Sequence, residues 1–117
     1  MEDRIIEELH KLELKLKKLG FKSSVIDPVM QALEAESFSL LNEPLAEERL
    51  ENYFRFLHHK VDLIGEQFIN KRKNDSSGQP WLWRNRANFQ KSRVESIMPN
   101  TELSRALKFL IDKSFEI

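Results

Sequence analysis

Leu50, Phe54, Leu57, Val61, Ile64 and Phe68 recur at alternating steps of four and three. That spacing keeps all six on one face of an α-helix and would scatter them over both faces of a strand. Leu45, Phe56 and Leu63, with Tyr53 between the two rows, add a second apolar stripe. A face this wide belongs to a central helix packed on two sides. As one rod the span from Leu45 to about Arg72 would run roughly 42 Å. Three arrangements accommodate that length: a bend at Gly65, two shorter helices stacked along it, or a second copy of the chain covering the excess. A glycine inside a helix costs about 1 kcal/mol relative to alanine, and a close backbone approach at Gly65 would compensate for it.

The rest of the chain reads as shorter helices set around this one. Ile5, Leu9, Leu12, Leu16 and Leu19 form a seam of coiled-coil type. Gly20 followed by Phe21 marks its end, since glycine takes the left-handed conformation freely. Leu14 lies opposite the seam and is expected on the surface. Asp27-Pro28 has the chemistry of a helix start, and the helix it begins should reach about Leu41, with Val29, Met30, Leu33 and Phe38 or Leu41 inward. Asn42-Glu43-Pro44 breaks the chain. Residues 73–80, KNDSSGQP, are built from breaker residues and read as a polar linker.

Ala87 to Met98 follows as a helix with a thin apolar stripe of Ala87, Gln90, Val94 and Ile97 or Met98. Pro99-Asn100-Thr101 ends it and caps a last helix presenting Leu103, Ala106, Leu107, Leu110 and Ile111. No useful β-type alternation and no internal repeat is present. The fold class expected is all-α, an antiparallel bundle of four or five helices around one long central helix, in a single domain.

Composition closes several functional classes. The 117 residues include no cysteine, so thiolate metal sites, disulfides and cysteine nucleophiles are excluded. No apolar run is long enough to span a bilayer, and the first twenty residues lack the apolar core of a secretory signal. A soluble, cytoplasmic protein is expected, with specialised secretion left open. The three glycines stand apart, so there is no phosphate loop.

His58 and His59 are adjacent, with Asp62 one turn on. Neighbouring residues point about 100° apart, so the pair suits ordinary helix surface better than one metal ion. Glu47, Glu48 and Glu51 begin a helix, where carboxylates favour the dipole, and no second environment marks them as an acid–base pair. His10 falls on a polar flank. No catalytic, cofactor-binding or metal-ligating constellation emerges, and the chain reads as non-enzymatic.

Net charge is zero, from 19 bases and 19 acids, but the charges are segregated. Residues 27–70 hold nine acids against three bases, and residues 71–93 hold seven bases against Asp75 alone. The basic segment contains the two tryptophans of the chain. Lys71, Arg72, Lys73, Trp81, Trp83, Arg84 and Arg86 are therefore the candidate partner-binding residues.

Tryptophan and arginine dominate protein-docking hot spots, while cations interleaved with rings also suit single-stranded nucleic acid. The plain structural alternative is that the rings anchor the linker on the bundle. An extended Pro80-Trp81-Leu82-Trp83 would point both rings one way, and a helical one would make them diverge.

The absence of a positive excess weighs against nucleic acid, and no helix suits membrane insertion. The expected function is a protein–protein interaction module, a homodimer, that binds and modulates another protein as adaptor, chaperone or inhibitor. In its small size, helical pattern and usage of Lys, Glu, Asn and Phe the chain resembles accessory proteins of bacterial secretion systems, which puts a secretion-associated enzyme among the expected partners. No motif carries that resemblance. The alternative is a nucleic-acid-binding protein using residues 71–93.

Overall fold

The computed structural model describes residues 1–75 and 80–117, Pro80 by its backbone alone. Its described residues form five packed α-helices and no strand: α1 (Glu2–Leu19), α2 (Ser23–Ser39), α3 (Ala46–Leu63), α4 (Pro80–Ile97) and α5 (Glu102–Lys113). Among them no helix is long and apolar enough to cross a membrane. α2 lies between α1 and α5, α3 leans on both α1 and α5, and α4 packs chiefly against α5. The bundle measures 48 × 27 × 20 Å, with α4 at its edge.

α1 ends as its sequence predicts. Gly20 adopts φ 102°, its amide donates to the Lys17 carbonyl at 3.1 Å and that of Phe21 to the Leu16 carbonyl at 3.2 Å. Phe21 folds back into the core. Ile5, Leu9, Leu12 and Leu16 are buried, Leu19 packs against the core from its margin, and Leu14 is exposed.

α2 begins five residues earlier than Asp27-Pro28 suggests, and Pro28 sits inside it. The extended Lys22 starts the helix, its carbonyl accepting from the amides of Val25 and Ile26. Helical phase then buries both of those side chains. Burying two such residues is worth about 3–6 kcal/mol, which outweighs the ~3 kcal/mol cost of a proline past the first turn. Val29 and Leu33 are buried, with Met30, Phe38 and Leu41 packed at the core margin.

The six residues of the α3 seam, Leu50 to Phe68, are all buried, and Tyr53 joins them. Leu45 departs from the expectation. It takes the left-handed conformation at φ 58° as the residue before α3, which removes it from the helical phase and leaves it 70% exposed. Phe56 and Leu63 pack at the core margin.

Beyond Leu63 the chain stays helical but changes type. Ile64–Asn70 is a π-helix, followed by one α-turn, Lys71–Lys73. The wider turn shifts the phase, so that Ile64, Gly65, Phe68 and Ile69 all face inward. This segment packs on α5 and on the 3₁₀ turn Ser114–Glu116. The excess length of the central helix is thus covered by the chain itself, and Gly65 lies where the Leu19 side chain comes closest.

α4 also starts before Ala87, being helical from Pro80 on. The predicted linker shrinks accordingly. Lys73 closes the preceding helical turn, Asn74 and Asp75 are described, and residues 76–79 lie outside the described residues. In the predicted stripe of α4, Ala87 and Val94 are buried and Ile97 is exposed.

The start of α5 is capped twice. Thr101 Oγ1 accepts from the Ser104 amide at 3.0 Å, and the Glu36 carboxylate of α2 accepts from the amides of Glu102 at 2.8 Å and Leu103 at 3.2 Å. A carboxylate on the free amides of a helix start is favoured by charge as well as by hydrogen bonding. Leu103, Ala106, Leu107, Leu110 and Ile111 are buried as expected.

Candidate functional site on the outer flank of helix four

Helical geometry separates the two tryptophans. Two residues on, a side chain points about 200° away, so Trp83 enters the core at 5% exposure while Trp81 remains 60% exposed. Trp83 Nε1 donates to Asp75 Oδ2 at 2.9 Å, and the Arg86 guanidinium lies 4.9 Å from the Trp83 ring centre. Trp83 is an anchor that ties the residues before 76 to α4. Trp81 has no such role.

The basic residues divide in the same way. Arg72 Nη2 donates to the main-chain oxygens of Ser114 at 2.7 Å and Ile117 at 3.0 Å. Arg72 and Arg84 both lie against the Phe115 ring, 4.9 and 4.4 Å from its centre. Burial, and next the Arg84 charge, lower the pKa of the Arg72 guanidinium from its ordinary value. Arg72 therefore clamps the last turn onto the end of the central helix. Lys71, Lys73, Arg84 and Arg86 are exposed. The seven predicted partner-binding residues do not form one surface, since Trp83 is buried and the half-buried Arg72 is engaged with the last turn.

A groove of about 330 Å³ runs between α4 and the far end of the central helix, lined by Leu63, Gln67, Phe68, Leu82, Asn85, Arg86, Phe89 and Gln90. Among the described residues no acidic side chain lines it. Phe89 stands at its rim, 59% exposed, with the Arg93 guanidinium 5.8 Å from its ring centre. On the α3 side Lys60 extends over Phe56, its ammonium 5.5 Å from the ring centre. The Lys60 pKa is lowered, first by burial and then by the Arg93 charge, so the two cations feel one another. Among the described residues no carboxylate pairs with Lys60, Arg86 or Arg93. No carboxylate of residues 27–70 is in direct ion-pair contact with them.

Sequence reasoning missed Phe89 and Lys60. The available signal was the seven-residue step from Leu82 to Phe89, which places both on one face of a helix once α4 is known to start at Pro80. Lys60 gives no such signal, because its burial depends on α3 being packed from two sides.

His58 has a different role from a ligand. Its Nε2 lies 2.8 Å from Glu8 Oε2, and Lys15 Nζ lies 2.9 Å from its Nδ1 and 3.0 Å from Asp62 Oδ1. An ammonium only donates, so Nδ1 is the acceptor and Nε2 carries the hydrogen given to Glu8. The tautomer follows from these partners. The four side chains form a clasp between α1 and α3. His59 is exposed, and the described residues hold no group of three His, Asp or Glu placed to share a metal ion.

A shallower depression beside the clasp, lined by Glu8, Lys11, Leu14, Lys15, Lys18 and His58, sets Glu8 among bases of which Lys11 and Lys15 are already paired. Glu47, Glu48 and Glu51 are exposed at the start of α3, where Glu51 accepts from Arg55 at 2.9 Å.

Comparison of the chain with protein-family models, with curated proteins and with solved structures finds no match in any of the three.

Proposed function

We propose that this protein is a non-enzymatic protein–protein interaction module that binds and modulates a partner through the outer flank of α4. One observation carries the reading: the edge helix keeps Phe89 largely exposed at the rim of a groove with an apolar floor of Leu63, Phe68 and Leu82, with Trp81 exposed elsewhere on the same helix. Large rings left in water next to an apolar depression are the arrangement expected of a docking surface. Arginine beside such rings strengthens it, because guanidinium groups stack and hydrogen-bond at the same time. The adaptor, chaperone or inhibitor role and the homodimer belong to this proposal. The homodimer has lost one motive, since the end of the central helix is buried within the chain.

The test is site-specific photo-crosslinking in the native host, with the reactive side chain at position 89 or 81 and, as a control, at the exposed His10 of α1. Discrete adducts with another protein from positions 89 and 81, and none from position 10, are the expected result. Adducts confined to a second copy of the chain would replace partner modulation by self-association. Adducts with nucleic acid would transfer the reading to the alternative.

A further inference from the structure

The cations around the groove specify the chemistry of its occupant, an inference that rests on the docking role just given. We propose that the groove between α4 and the far end of the central helix receives an acidic amphipathic helix of another protein. Apolar side chains of the guest would enter over Leu63, Phe68 and Leu82, beside the Phe89 ring, and its flanking carboxylates would meet Arg86 and Arg93.

Three features support this occupant. The groove is bounded by helices on both sides, so a guest laid along it meets ridges at helical spacing, and the described residues present no sheet edge to which a strand could add. Arg86 and Arg93 are seven residues apart on one helix, which places them about 10 Å apart along its axis. Glutamates two turns apart on a guest helix match that interval. The exposed Arg86 lines the groove, Arg93 stands two turns further along the same helix against the Phe89 ring, and neither has a carboxylate partner among the described residues. An incoming carboxylate would meet these open cations, whereas a basic guest would meet like charge.

A second copy of this chain fits poorly. Its stretch Glu47 to Glu51 carries Leu50 on the side already buried in its own core, and α1, whose exposed Ile6 and Leu14 stand near Glu2, Asp3, Glu7 and Glu13, also carries Arg4, Lys11, Lys15, Lys17 and Lys18, which would meet the cations of α4 with like charge. Single-stranded nucleic acid also fits less well. Trp83 and Arg72 are engaged inside the fold, and the two exposed rings of α4, Trp81 and Phe89, point in directions about 80° apart on the helix, which does not make a continuous stacking platform.

The test uses the full chain and fluorescence anisotropy with three labelled probes. The first is a helix-forming peptide of about 15 residues with leucines on one face and glutamates on its flanks. The second has lysine in place of every glutamate, and the third is a single-stranded oligothymidylate. The glutamate peptide should bind at least tenfold more tightly than the lysine peptide, and raising the salt should weaken it.

Phe89→Ala and Arg93→Glu should each weaken it at least tenfold. Both residues are exposed, and circular dichroism of each variant confirms that the helices persist. Equal binding of the two peptides, binding of neither, or tighter binding of the oligonucleotide overturns the proposal. If crosslinking through position 89 to another protein persists while the peptides are not discriminated, the partner chemistry falls and the docking role stands. If both fail, the docking role falls with it.

Discussion

Leu19 of α1 reaches so close to Gly65 that a β-carbon built on the glycine would lie 2.6 Å from Leu19 Cδ2. The contact joins the end of the first helix to the start of the π-helix and accounts for a glycine in the middle of a long helical run. The obstructing atom is the tip of a side chain that packs at the core margin, so it can turn aside. Gly65→Ala is therefore expected to fall within about 1 kcal/mol of the parent, the helix-propensity gain offsetting the displaced leucine. In a Leu19→Ala background the obstruction is gone, and Gly65→Ala should add close to 1 kcal/mol of stability. Urea denaturation of the four proteins measures this coupling. Equal effects of Gly65→Ala in both backgrounds would show that the contact has no energetic weight.

Trp83 and Trp81 should separate in fluorescence. Trp81→Phe leaves only the buried ring, which is expected to emit to the blue and resist quenching by iodide. Trp83→Phe leaves the exposed ring, red-shifted and readily quenched. Stability should follow the same division: Trp83→Ala costs about 3–5 kcal/mol, and Trp81→Ala stays within about 0.5 kcal/mol. Similar quenching of the two single-tryptophan proteins would contradict the helical phase assigned to residues 80–86.

The single tyrosine offers an alkaline test. The Tyr53 hydroxyl is buried without a hydrogen-bond partner among the described residues. Burial first, and then the nearby carboxylates of Glu36 and Glu102, push its pKa far above the usual phenol value. An acid whose pKa is raised by folding holds its proton longer in the folded state, so stability must fall as pH rises past the unfolded value of about 10. The ultraviolet absorbance of tyrosinate should accordingly appear only together with unfolding. Tyr53→Phe should abolish the tyrosine contribution to that alkaline loss, and at neutral pH it should be neutral or stabilising by up to about 1 kcal/mol. Reversible ionisation with the helices intact would overturn the assignment.

The clasp of Glu8 and His58 bears on the acid side. Burial alone would raise the Glu8 pKa, but the hydrogen bonds from His58 and Lys11, with the Lys11 charge, together hold it below its ordinary value. Its contribution is therefore present above the unfolded pKa and is lost as pH falls through the lower folded value. Glu8→Gln should cost about 1 kcal/mol or less at neutral pH, given partial exposure, and flatten the loss of stability below about pH 4.5. Denaturation midpoints at a series of pH values decide it, and an unchanged acid slope would remove Glu8 from the account.

Periodicity alone identified the buried seams of α1, α3 and α5, because a step of four and three residues has only one secondary structure that collects it on a face. The end of α1 was equally legible, since Gly20 supplies the conformation that the turn requires. The starts of α2 and α4 were not. In each case a proline looked like a boundary or part of a linker, and in each case burial of neighbouring side chains, Val25 and Ile26 in one and Trp83 in the other, drew the helix past the local signal.

The candidate site was legible only as a segment rich in cations and rings. Composition placed Lys71, Arg72, Lys73, Trp81, Trp83, Arg84 and Arg86 under suspicion together. Tertiary contacts then divided them, sending Trp83 to Asp75 and Arg72 to the last turn, and brought in Phe89 and Lys60 from outside the suspected set.

What the amino-acid order determined by itself is therefore an all-helical chain in which an acidic stretch, residues 27–70, is followed by a basic one, residues 71–93. Which of those cations and rings remain available was decided by the phase of α4, and the groove beside them by how α4 packs against Leu63, Gln67 and Phe68. The physical reason is that helical periodicity is a local property, whereas exposure depends on which neighbour a face meets.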